Sequence, residues 1–170
     1  MERDKDYSAI KHDDNANWYT EAFISSSIEN YLKENGYKIH KESLHNAGDR
    51  NERVITASKY FTKEIIGVKG LLTDQNRNSL LKVADKNSWS QQAKSWFSES
   101  LFNSLVNFGK YYSDESAVVA MALPNVERYK TIIEKVADYF TSNNLYFKLY
   151  LVNQSGEVEI SNLNSKPPNE

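Results

Sequence analysis

Apolar positions along this chain fall into two alternating patterns, stretches with a period near 3.6 and short runs or alternations of strand length. In NWYTEAFISSSIENYLKENGY, Ile24, Ile28, Tyr31 and Leu32 share one helical face and Asn35-Gly36 supplies a stop, which predicts a helix over about 16–35. KIHKE (38–42), ERVITASKYF (52–61) and KEIIGVK (63–69) predict three short strands, and the tight break at Thr62-Lys63 favours an antiparallel hairpin. Residues 71–87 are polar and irregular, with room for one helical turn. In SWSQQAKSWFSESLFNSLVNFGKYY, Ala93, Trp96, Phe97, Leu101, Leu105 and Phe108 predict a long helix that ends before Gly109.

The continuous apolar run AVVAMAL (117–123) is that of a central strand covered on both faces, and Pro124 ends it. Asn125 is then placed to cap a helix whose face is Val126, Tyr129, Ile132, Ile133, Val136 and Phe140. LYFKLYLV (145–152) predicts another strand, Gln154-Ser155-Gly156 a turn, and EVEI a short edge strand. The resulting order, α-β-β-β-α-β-α-β, is that of an α/β or α+β protein with a mixed sheet flanked by helices. Residues 1–14 and 161–170 are polar and expected to be poorly ordered, leaving one domain over 15–160.

Composition narrows the chemistry. A chain of 170 residues suffices for one core that buries ~70% of the unfolded surface. It is 39% hydrophobic and 26% charged, and no run of about 18 apolar residues offers a membrane span. The start, MERDKDYSAIKHDDNANW, lacks the basic and then apolar pattern of a secretory leader, so a cytoplasmic protein without a membrane partner is the expectation. With no cysteine, thiolate zinc sites and cysteine nucleophiles are excluded, and His12, His40 and His45 fall in no metal-binding spacing. A metal would therefore be a hard cation on oxygen ligands, Mg²⁺, Mn²⁺ or Ca²⁺.

The net charge of −2 is unevenly distributed. Residues 33–94 hold 12 Lys or Arg against 7 Asp or Glu, and the remainder holds 9 against 16. That asymmetry suits a phosphate-attracting face, and equally a set of solvated surface lysines. No GxSxG, GxxxxGK or GxGxxG motif points to triad hydrolysis, P-loop or dinucleotide chemistry.

The element order, with "YLKENGYKI" closing the first helix, a strand ending "IIGVKG", a helix opening "QAKSWFSESL", the junction "ALPNVERY" and a late strand "LYLVNQSGEV", resembles the restriction-endonuclease-like fold of the PD-(D/E)xK nuclease superfamily over about 16–160. That resemblance implies a phosphodiesterase site in which two acids hold Mg²⁺ or Mn²⁺ and a lysine positions the water or a phosphate oxygen. Lys69, followed by Gly70, matches the motif lysine, and Gly67 stands where the family carries its glutamate. Glu64 is five residues from Lys69, so an undistorted strand turns it to the opposite face.

For the first acid, AGDRNERV offers Asp49, loop-like by its pattern, and Glu52, which shares strand parity with Val54 and Thr56. Glu21 precedes Ile24, Ser25 and Ile28 on the stripe expected to face the sheet and is the candidate third acid, although a helix start also suits a carboxylate. Asp49, Glu52 and Glu21 are thus the expected metal ligands, and Arg50, Arg53, Lys59, Gln92 and Lys94 the expected nucleic-acid contacts. Trp89 and Trp96 can stack on bases, but Trp96 lies on the apolar stripe and reads as core.

Three functions follow. The first is an active Mg²⁺-dependent nuclease with relocated carboxylates. The second, favoured because the lysine and strand are kept while Gly67 removes an acid, is a degenerate nuclease-like domain that binds DNA or RNA or joins a complex. The third is a protein-interaction module or homo-oligomer using a surface rich in its 11 tyrosines.

Overall fold

The computed structural model describes residues 20–46, 51–70, 86–111, 116–143 and 145–163. Three helices, α1 (Glu21–Glu34), α2 (Lys86–Tyr111) and α3 (Glu127–Ser142), accompany six strands: β1 (Lys38–Asn46), β2 (Asn51–Lys59), β3 (Thr62–Val68), β4 (Ala117–Pro124), β5 (Lys148–Val152) and β6 (Val158–Asn162). The fold is a mixed α/β sheet protein, and its order follows the sequence expectation closely.

The strands lie in sequence order across one sheet. β1, β2 and β3 form an antiparallel meander, β3, β4 and β5 are parallel, and β6 returns antiparallel to β5. Both parallel connections, through α2 and through α3, step to the next strand in the same direction, and right-handed crossovers then put both helices on one face. Ala93 and Phe97 of α2 and Tyr129, Ile133 and Phe140 of α3 accordingly pack with Val119, Met121, Leu123, Leu149 and Leu151. The opposite face is covered by α1, whose Ile24, Ile28 and Leu32 are fully buried against Ile55, Ile66, Val68, Ala120, Ala122 and Val152. Each such side chain contributes about 1.5–3 kcal/mol of burial.

α1 starts where its chemistry says. Thr20 is extended and its Oγ1 accepts the Phe23 N–H at 3.2 Å, and Gly36 follows the helix with φ 78°. Residues 16–19 of the expected helix lie outside the described residues.

Several boundaries differ from expectation. The β2–β3 hairpin turns at Tyr60-Phe61, not Thr62-Lys63, because Lys59 and Thr62 close the ladder as partners. α2 continues through Gly109 to Tyr111. An isolated glycine costs a helix only about 1 kcal/mol, too little to end it. The cap of α3 is Val126 without a side-chain hydrogen bond, since Asn125 instead donates through Nδ2 to Glu159 Oε2 at 2.9 Å. β6 reaches Asn162 and Leu163 is buried, so ordered packing extends past residue 160. Residues 1–19, which include the expected flexible start, and 164–170 of the tail lie outside the described residues, as do 71–85 of the irregular stretch, while Lys86 and Asn87 already belong to α2. Among the described residues no helix is long and apolar enough to cross a membrane.

Candidate functional site

In a sheet with parallel strands, ligands gather beyond the strands' carboxyl ends. At that end of β3 the backbone N–H of Lys69 still donates to Ala122 O, at 3.0 Å. Lys69 is one residue beyond the strand, where alternation no longer fixes its direction. Its Nζ lies 3.6 Å from Glu21 Oε1, an ion pair too long for a hydrogen bond, between side chains 15 and 21% exposed.

Glu21 arrives there because α1 runs antiparallel to β3: its first turn sits over the strand's carboxyl end, and the Tyr37 that follows the helix reaches Glu64 near the strand's start. Burial raises the Glu21 pKa above the ordinary carboxylate value, outweighing the nearby charges of Lys69 and Arg53 and the Gly70 N–H, all of which favour the ionised form. Arg53 occupies β2 opposite Val68, on the side of the sheet that carries Ile55 and Ala57 under α1. Lys69 and Arg53 thus both act on the Glu21 carboxylate at this end of the sheet.

Of the other sequence candidates, Asp49 and Arg50 lie outside the described residues, and Glu52 is placed only as a β2 residue opposite His45. Of the three expected metal ligands, then, Glu21 alone has a described side chain. Among the described residues no group of three His, Cys, Asp or Glu side chains is set to hold a metal. Lys59 is at the far end of β2, its Nζ over the rings of Tyr37 and Tyr60 at 5.5 and 5.8 Å. Gln92 and Lys94 flank Ala93 on α2, the helix that packs on the face away from α1. Neither is brought to Glu21 by this fold. Trp96 is partly buried against the α2–α3 core. Gly67 is buried between Val54 and Met121 in the sheet register.

The sequence did not anticipate a second polar cluster at the other end of β3. Glu64, 2% exposed, accepts hydrogen bonds from Lys148 Nζ at 2.9 Å, from the Tyr37 hydroxyl at 2.8 Å and from the Tyr150 hydroxyl. Lys148 also lies 4.7 Å from the Tyr150 ring centroid. Burial first, and then the Glu64 charge and hydrogen bonds, push the Tyr37 and Tyr150 phenols well above their usual range. A signal existed: one acid and one lysine, each inside an apolar strand, need each other. The pair is 84 residues apart, beyond the reach of any local pattern. A groove of about 550 Å³ along α1, lined by Phe23, Ser27, Tyr31 and Glu34 and by Gly156 and Glu157 of the β5–β6 turn, carries acids and no cation and does not suit phosphate.

No family model, curated protein or solved structure matches this chain.

Proposed function

We propose that this protein is a nuclease-like domain with a degenerate active site that binds nucleic acid through its phosphates at the carboxyl end of β3. The observation that carries this reading is the meeting of Lys69, Arg53 and Glu21 at the carboxyl end of β3, in a chain that has Gly67 where the PD-(D/E)xK pattern has its glutamate. Lys69 and Arg53 hold phosphate oxygens by charge-assisted contacts, and Glu21 orients Lys69. The resemblance supplies the superfamily and the class of ligand, and a cytoplasmic location belongs to the same proposal.

The test uses labelled single-stranded, duplex and branched DNA and RNA at low salt, where phosphate contacts are strongest, with Mg²⁺ or Mn²⁺ and without either. Wild type is expected to bind without cutting, and Lys69→Ala to weaken binding about ten-fold. Cleavage by wild type that Lys69→Ala abolishes sinks the degenerate reading in favour of an active enzyme completed by Asp49 or Glu52. Absence of binding to every nucleic acid favours the interaction module.

A further inference from the structure

The tip of the β2–β3 hairpin departs from what a two-residue turn needs. Its central residues are two large aromatics, Tyr60 and Phe61, 91 and 94% exposed. Tyr60 adopts φ 53°, and among the described residues no other non-glycine has a positive φ. Glycine or asparagine takes that conformation with little strain, and either would also avoid exposing a ring. A strained backbone that holds up two unpacked rings points to a use for them.

The chemistry around the rings identifies the partner. Lys38, Ser58 and Lys63 are neighbours across three strands, and Lys59 pairs with Thr62 directly beneath the turn. Among the described residues on the last three rungs, the one acid is Glu64, buried and engaged by Lys148, Tyr37 and Tyr150. The Lys59 ammonium sits 5.8 Å from the Tyr60 centroid, on one face of the ring. Flat aromatic faces interleaved with ammonium groups match unpaired bases interleaved with phosphates. Two rings, one bearing a hydroxyl, are too little apolar surface to hold a membrane. Among the described residues nothing at the tip provides the enclosed apolar centre of a protein interface.

We propose that the β2–β3 hairpin tip is a stacking surface for single-stranded nucleic acid, with Tyr60 and Phe61 carrying bases and Lys59 and Lys38 the flanking phosphates. It rests on the proposed function for its ligand class and goes beyond it in surface and strand type. The seven residues of β3 separate Phe61 from Lys69, eight steps or roughly 26 Å, so the tip and the Lys69 site engage different nucleotides.

Fluorescence anisotropy with a labelled oligothymidylate at low salt tests this in the full chain. Tyr60→Gly combined with Phe61→Asn puts glycine at the positive-φ position of the turn, so the melting temperature is expected to hold or rise while affinity falls roughly ten-fold or more. Phe61→Trp is expected to retain binding, with the added indole emission quenched by the oligonucleotide. Wild-type affinity in the double variant overturns the proposal, as does a defect confined to anionic phosphatidylserine vesicles. Loss of binding in Lys69→Ala with the tip variant unaffected overturns the tip and leaves the Lys69 reading. The reverse result supports the tip and removes Lys69, and a wild type that binds no single strand overturns both.

Discussion

Glu21 controls how much positive charge the site offers. Its pKa is raised chiefly by burial, so it takes up a proton at a higher pH than an exposed glutamate. When it does, Lys69 loses its ion-pair partner and becomes available to a phosphate. Nucleic-acid affinity at fixed ionic strength is therefore expected to rise by about ten-fold as the medium is acidified through the raised Glu21 pKa. Glu21→Gln is expected to bind at neutral pH as wild type binds in acid, with a flat profile by anisotropy. The sign for stability is the same. A carboxyl with a raised folded-state pKa contributes stability that is present below its unfolded value and lost as pH rises through the folded one. Urea unfolding should then show wild type gaining on Glu21→Gln as the medium is acidified. A profile identical in the two proteins would remove Glu21 from this role.

Among the elements, α2 shows where periodicity stops informing. The 3.6 spacing of its apolar residues identifies the helix, but the buried face is Ala93, Phe97, Ser100 and Ser104, with Leu105 40% exposed and Phe102 66% exposed. The stripe expected from apolar residues alone runs through Leu101 and Leu105, one position round the helix from the observed face. Ser100 Oγ and Ser104 Oγ are buried without a hydrogen-bond partner. Ser104→Ala removes an unsatisfied hydroxyl and adds helix propensity, so unfolding free energy is expected to rise by about 1 kcal/mol, read as an increase in urea midpoint at unchanged m-value. Other elements are legible to within a residue at the ends the pattern marks: the run AVVAMAL, covered on both faces, is β4, which also takes in Pro124, and Asn35-Gly36 ends α1. The hairpin turn is not, because SKYFTK contains no glycine or asparagine and the strand pattern runs straight through Tyr60 and Phe61. Within the site, Glu21 is legible because it stands on the buried stripe of α1, whereas the direction of Lys69, one residue past β3, is not. The Glu64–Lys148 pair depends on the register of β3 with β4 and of β4 with β5, which no single segment encodes.

Taken as a whole, the molecule carries a charged cluster at each end of β3, and α1 spans the strand between them. The two clusters have opposite designs. At the amino end, Glu64 and Lys148 are closed in, 3 and 13% exposed, and saturated by tyrosine hydroxyls; at the carboxyl end, Lys69 and Glu21 are looser and more open. A closed and saturated pair is expected to act on folding, an open one on ligands. Glu64→Met strands a buried ammonium and is expected to cost about 3–5 kcal/mol in urea unfolding, whereas adding Lys148→Met recovers part of that loss by removing the stranded charge. Binding to nucleic acid by the folded protein is expected to be unchanged in both, because Glu64 is five residues, roughly 16 Å, from Lys69. Lys69→Ala is expected to do the reverse, leaving the urea midpoint nearly in place while weakening binding. A double-mutant cycle over Glu64 and Lys148, read by urea unfolding and by anisotropy, separates the two designs. A coupling that appears in affinity but not in stability would mean that the two ends of β3 act as one site.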